Sequence, residues 1–271
     1  MSLRIPVRRR VTTLTLGLAL ALSAHAATAA LVISESFDRT DGTSANGLSP
    51  NGANLPGNTF TVQTNRTSVI SSNTLQIGPD NSVSIDLGTY FSGPLSLSAD
   101  LSIGNLITNT ATNRGIALGF NTSPSGSHNT FVGLRLTPDS KLVFQQGAGP
   151  GSASVLATVD VSTTGSTFYS LSYDVNATTG ALSNIALSGT GNDALDFSSI
   201  YTASGNQNYF SGYSSLSVFA GGSAAGQYGY VDNLTLSDSS PEAGVPEPAT
   251  LALVTGGLLG AVSVRRRCRR R

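Results

Sequence analysis

Pro94-Leu95-Ser96-Leu97-Ser98-Ala99-Asp100-Leu101-Ser102-Ile103 alternates apolar and polar residues without a break. Successive side chains of an extended chain point to opposite faces, so Leu95, Leu97, Ala99, Leu101 and Ile103 share one side. Serines and Asp100 take the other. The pattern predicts a strand with one face on a core.

The same two-residue period recurs along the chain. It appears at Phe60 and Val62, at Val83, Ile85 and Leu87, at Ile116, Leu118 and Phe120, and at Val132, Leu134 and Leu136. It returns at Val155, Ala157 and Val159, at Tyr169, Leu171, Tyr173 and Val175, at Ile185 and Leu187, at Leu216 and Val218, and at Leu234 and Leu236. Pro138-Asp139-Ser140 and Asn176-Ala177-Thr178-Thr179-Gly180 separate adjacent runs and are suited to hairpin turns. No stretch between residues 30 and 238 holds a helical period beyond two turns. Roughly 12 to 14 strands at this spacing predict an all-β fold, a two-sheet antiparallel sandwich or jelly roll.

The zero net charge hides a segregation. Ten of the 15 basic residues lie in the first ten and last seven positions. Between Leu31 and Pro241 five basic residues face 13 acidic ones, a net charge of −8. That balance repels a phosphate backbone and argues against nucleic acid as a partner. The same stretch has no cysteine, so its core must hold without disulfides.

The two ends read as targeting segments. Arg4, Arg8, Arg9 and Arg10 precede the apolar run Val11–Leu22 and the small-residue site Ala27-Thr28-Ala29. Residues 1–29 therefore predict a secretory signal peptide, cut by signal peptidase after Ala29. At the other end, Val245-Pro246-Glu247-Pro248 precedes an uncharged stretch, 249–264, and Arg265-Arg266-Arg267-Cys268-Arg269-Arg270-Arg271. The two prolines hold Glu247 extended, the shape a peptidase grips. The apolar stretch from Pro248 is about 17 residues, near the lower limit for a transmembrane helix. Arginines after it hold that end in the cytoplasm. Gly256 and Gly260 have the spacing of a helix-pairing motif, but small-residue filler accounts for them. The expected organisation is signal peptide 1–29, β-sandwich 30–238, linker with the proline motif 239–248, transmembrane helix 249–264 and basic tail 265–271.

Val245 to Thr250, the apolar span and the terminal arginines together resemble the PEP-CTERM sorting signal of Gram-negative bacteria. Cys268 departs from that pattern. The resemblance implies recognition by exosortase, a membrane-embedded cysteine peptidase, cleavage near the motif, and an exopolysaccharide or biofilm setting. Before cleavage the chain would sit in the inner membrane with its C-terminus cytoplasmic; afterwards it would reach the cell surface or extracellular matrix. Within residues 31–238, Gly115–Phe120, Phe131–Leu136 with its hairpin into Lys141–Phe144, Phe168–Asp174 and Tyr230–Leu236 resemble the concanavalin-A-like (laminin-G-like) sandwich. Galactose-binding-like jelly rolls give similar runs and remain the alternative topology.

Residue chemistry narrows the activity. The domain's one histidine, His128, sits in a polar loop, and no cysteine or Gly-x-Ser-x-Gly elbow supplies a nucleophile. Glycoside hydrolysis needs two carboxylates flanking the bond. Asp193 and Asp196 are close in sequence but follow a turn-like Gly-Thr-Gly-Asn, which reads as loop capping. Glu35, Asp38 and Asp232 are candidates for the hard oxygen ligands of a structural calcium where first and last strands meet, as jelly-roll binding modules arrange it, with an ordinary strand end as the competing role of Asp232-Asn233. Tyr201, Tyr209, Tyr213, Tyr228 and Tyr230 are candidates for a sugar-stacking face, with core packing as the competing role. The Asn-x-Ser/Thr sequons at Asn65, Asn121, Asn176 and Asn233 are the chance yield of a chain rich in these residues.

The sequence thus predicts an exported, non-enzymatic surface or matrix protein that binds extracellular polysaccharide. The competing readings are a glycan-active hydrolase and a calcium-stabilised adhesin. Replacing Pro246, Glu247 and Pro248 with alanines should leave the chain uncut in the inner membrane, detected by immunoblotting of cell fractions. Unchanged release would contradict the tail's role.

Overall fold

The computed structural model describes residues 30–53, 55, 57–63, 67–88, 91, 93–106, 114–125, 130–147, 154–161, 167–188, 208–222 and 225–238. Ala29–Ser240 forms one compact unit. The signal peptide (1–29), the linker with its Val245–Pro248 motif, the helix over 249–264 and the basic tail lie outside the described residues, as do His128, Asp193, Asp196 and Tyr201. Among the described residues no helix is long and apolar enough to cross a membrane.

Fifteen strands are described. They are β1 (Ala30–Glu35), β2 (Gly52–Ala53), β3 (Thr61–Val62), β4 (Ser68–Ser71), β5 (Thr74–Ile77), β6 (Asn81–Asp86), β7 (Pro94–Ser102) and β8 (Gly115–Asn121), followed by β9 (Val132–Thr137), β10 (Lys141–Gln146), β11 (Ser154–Asp160), β12 (Tyr169–Asn176), β13 (Leu182–Leu187), β14 (Ser215–Gly221) and β15 (Gly229–Asp238). An eight-stranded sheet runs β13-β12-β7-β15-β1-β2, with β5 also on β15 and β4 on β5. A seven-stranded sheet runs β11-β10-β9-β8-β14-β6-β3. Every pairing is antiparallel. The fold is the expected all-β, two-sheet antiparallel sandwich.

β7 carries the run Pro94–Ser102 and lies inside the eight-stranded sheet. Leu95, Leu97, Ala99 and Leu101 join the central core, while the serines between them stay half-buried or turn away from it. From the facing sheet come Ile116, Leu118, Phe120, Val132, Leu134, Leu136, Leu216 and Val218. Interdigitated apolar faces of this kind provide most of the favourable folding energy. Polar ties also cross the layers: Asn81 Nδ2 of β6 donates to Ser68 Oγ of β4 at 2.9 Å. Tyr173, in β12, donates its hydroxyl to the Leu118 carbonyl of β8 at 2.8 Å. Burial pushes the Tyr173 phenol well above its ordinary value, so it stays protonated as a donor.

Turn chemistry sets the registers. Asn176 Oδ1 accepts from the Thr178 and Thr179 amides, and Gly180 takes φ +77° to close the β12–β13 turn. The Pro138-Asp139-Ser140 turn joins β9 to β10, with Ser140 at φ +59°. Ser72 and Asn73, both at positive φ, form a two-residue link between β4 and β5. That hairpin is absent from the sequence expectation, because Ser68–Ile77 shows no extended alternation.

A second difference concerns the seven-stranded sheet. Period-two alternation predicts polar residues on its outer face. The residues are there, but β8, β9 and β14 are buried at every position. Tyr173→Phe should lower stability by about 1 kcal/mol, a Tm decrease of about 2–4 °C for a domain of this size, measured by thermal unfolding. An unchanged Tm would remove the inter-sheet tie from the account.

Candidate functional site

The chain begins and ends its sandwich side by side. β15 pairs with β1 on one flank and β7 on the other, so Glu35 stands opposite Leu234 and Asp100 opposite Asp232. The β7–β15 register slips between Asp232 and Thr235, and Asn233 sits at φ +48° in the slip. Its amide donates to Asp232 Oδ1 at 2.8 Å and its side-chain nitrogen to Asp100 Oδ2 at 2.8 Å. Ser170 Oγ donates to Asp100 Oδ1.

Burial, then the charges of Asp100, Asp38 and Glu35, push the Asp232 carboxyl above its ordinary value; the Asn233 amide works the other way. Of the three carboxylates singled out for calcium, Asp38 and Glu35 lie near enough for their charge to act on Asp232, as does Asp100, but the structure does not bring them together as a ligand set. Their chemistry differs. Glu35 is buried and engaged: Oε1 accepts from the Phe37 amide at 2.7 Å, and Oε2 from Arg39 Nη2 at 2.8 Å and the Asn51 amide at 2.9 Å. Arg39 Nη2 also donates to the Ser49 carbonyl and Asn51 Oδ1, both at 2.7 Å. Glu35 thus clamps the β1–β2 loop and does not fit a metal ligand. Among the described residues no three acidic, histidine or cysteine side chains stand together to hold a metal ion.

The tyrosines divide between the sheets. Tyr209 is buried edge-on against Phe144, ring centroids 5.9 Å apart. Tyr213 is buried, its phenol pushed up by that burial and partly offset by a hydrogen bond with Gln146. Both belong to the central core, beside Phe210. Tyr228 and Tyr230 are half-buried and belong to the eight-stranded sheet's end of the chain. The Tyr230 ring covers Gly104, where an added Cβ would fall 2.7 Å from it.

A further constellation lies on the outer face of the seven-stranded sheet. Cross-strand partners form the row Ser84–Ser217–Gly119–Gly133–Gln145–Val155. A Cβ at either Gly119 or Gly133 would come within 2.9 Å of Phe131 Cζ, so this ring lies over the glycine pair. Phe131 packs on Phe219 at 6.4 Å between centroids, and with Ala117 they form a small cluster separate from the core. Ser84 donates to Ser217 Oγ at 2.8 Å. Arg135 stands in the next row, opposite Ala117 and Val143. Burial brings its guanidinium down to about 10, with Asp139 opposing, so it stays charged at neutral pH. The sequence signal for this face was faint: the pairing of two glycines beneath an aromatic is visible only once β8 and β9 are in register.

Comparison with known families matches residues 244–267 to the PEP-CTERM protein-sorting motif. The motif implies export and a membrane-held intermediate processed by exosortase. No curated protein matches the chain. Among solved structures, the carbohydrate recognition domain of Emp46p is similar at 11% identity and TM-score 0.46, over 73% of this chain and 96% of that one. The exoplasmic/lumenal domain of VIP36 is similar in its metal-free form (13% identity, TM-score 0.44, 74% and 92% covered) and in its Ca2+/Man3GlcNAc-bound form (14%, 0.43, 71% and 88%).

Asp232→Asn tests the acidic corner. A carboxyl with a raised folded pKa contributes stability that is fully present below its ordinary value, about 3.9, and lost as pH rises through the raised value. The variant should therefore melt above the parent at neutral pH, with the gap closing below about pH 4. A constant gap across pH would show that Asp232 is not under charge strain.

Proposed function

We propose that this protein is exported, held in the inner membrane by its C-terminal helix, released by exosortase near Val245–Pro248, and retained at the cell surface or matrix by binding polysaccharide without catalysis. One observation carries the sorting part of the reading: the sorting-motif match at 244–267 covers the proline motif, the apolar stretch and the first three arginines of the terminal cluster. The expected organisation, with a signal peptide at 1–29 cut by signal peptidase, belongs to the same proposal. A domain charge of −8, from five basic and 13 acidic residues between Leu31 and Pro241, suits a soluble extracellular module and not a nucleic-acid binder.

The rows of hydroxyls and amides on the sheet faces favour a sugar over an apolar ligand, because polyhydroxylated rings match such groups one for one. Tyr228 and Tyr230, the half-buried members of the tyrosine set, are the ones available for stacking at the surface. The second reading is a calcium-stabilised adhesin. It draws on Asp38, Asp100 and Asp232: the Asp232 carboxyl is raised by burial first and by the charges of Asp100 and Asp38 after it, and a divalent cation would offset both, while Glu35 keeps its loop contacts.

A glycan array with the exported protein, with and without chelator, separates the readings. Retention of oligosaccharide with no product, unchanged by chelator, is expected. Product formation would replace the proposal with a hydrolase. Calcium-dependent melting with no glycan retained would replace it with the adhesin.

A further inference from the structure

The eight-stranded sheet keeps its outer face open. On β7, β12 and β15 buried residues alternate with half-exposed or exposed ones, and the open side carries Asp100, Asp174 and Asp232 among serines and a threonine. None of the eight strands of this sheet contains a lysine or an arginine. Asp100 and Asp232 are cross-strand neighbours, about 5 Å apart. Asp174 lies on β12 four residues beyond Ser170, the partner of Asp100, so it stands about 14 Å along the same face.

These carboxylates are held in place without being neutralised. Asp100 accepts from Ser170 Oγ and from Asn233 Nδ2, Asp232 from the Asn233 amide, and Asp174 from Asn184 Nδ2 at 2.5 Å. Every one of these donors is neutral. Among the described residues the ion pairs are Arg39 with Glu35 and Lys141 with Asp160, neither of which involves this face. Apolar surface flanks the acids at one end. Phe168 directly precedes the inward-facing Tyr169 and is 39% exposed, and the half-buried Tyr230 pairs across Ser102 at the same end of β7.

Charge sign selects the occupant. An open face with fixed carboxylates and no basic residue repels an anionic polymer and draws a cationic one. Acids spread along the strands suit a chain of repeated cations better than one ion. Serine hydroxyls between them and rings at one end suit a sugar backbone carrying those cations. We infer that the outer face of the eight-stranded sheet docks an amino-sugar polysaccharide with free, protonated amines. Its ammonium groups meet Asp100, Asp232 and Asp174, its hydroxyls meet the intervening serines, and one sugar ring lies against Phe168 and Tyr230. The inference rests on the polysaccharide reading and names the ligand class and the surface that takes it.

The exported protein is titrated by calorimetry with β-linked glucosamine oligosaccharides, with their N-acetylated counterparts and with oligolysine, at low and at raised salt. The glucosamine oligomers should bind, N-acetylation should abolish binding, and salt should weaken it. Asp174→Asn and Asp232→Asn should each weaken binding about fivefold, the upper worth of one partly exposed charge pair. Asp232→Asn relieves like-charge crowding, so its lost affinity is separable from lost folding by a melting curve. Equal affinity for the N-acetylated oligomer, or wild-type affinity in both variants, would overturn the inference and leave the polysaccharide reading to another sugar or surface. Oligolysine bound as tightly as the glucosamine oligomer would also overturn it, in favour of a basic polypeptide. Retention of no oligosaccharide by the wild-type protein, in calorimetry or on the glycan array, would overturn both.

Discussion

The sandwich depends on one steric constraint: strand side chains alternate, so each strand offers one apolar set to a shared interlayer about 10 Å thick. Leu95, Leu97, Ala99 and Leu101 meet that demand on β7, and Ile116, Leu118 and Phe120 meet it from β8. A one-residue slip in β7 would turn serines and Asp100 into the core, and one in β8 would bring in its glycines and Asn121. The Tyr173 hydroxyl on the Leu118 carbonyl adds direction to this packing, because it is satisfied in only one alignment of the two sheets.

The same constraint positions everything functional. Residues that do not face the interlayer face outward, and the two sheets use that face differently. On the eight-stranded sheet the outward positions carry Asp100 and Asp232 in partial contact with water, and like charges gather where β1, β7 and β15 meet. On β8, β9 and β14 of the seven-stranded sheet the outward positions are buried, and with Gln145 of β10 they hold a guanidinium, an amide, hydroxyls and two phenyl rings, one of which, Phe131, lies over a pair of glycines. Desolvated polar groups are specific because each needs its partner.

Much of this was legible in the sequence. The runs at Pro94–Ile103, Ile116–Phe120, Val132–Leu136 and Tyr169–Val175 gave the strands and their inward faces, and the turns at Pro138–Ser140 and Asn176–Gly180 fall where the structure places them. The β4–β5 hairpin was not legible, since its strands have four residues each. Strand order was not legible either, because cross-strand partners such as Asp100 and Asp232 are 132 positions apart in number and adjacent only through β7–β15 pairing. Alternation states which side of a strand is polar; it does not state whether that side is wet. Gln145 and Ser215, on the polar sides of their strands, are buried. Clustering in sequence also misled for the tyrosines: Tyr209 and Tyr213 belong to the core beside Phe144 and Phe210, whereas Tyr230 lies on β15 of the opposite sheet.

The account joins an exported β-sandwich to a tail that serves only until it is removed. Intact-mass spectrometry of the protein recovered from the cell surface measures this directly. The account predicts a chain that starts near residue 30 and ends close to the Val245–Pro248 motif, without the arginine cluster. A surface-recovered chain that still carries Arg265–Arg271 would contradict it.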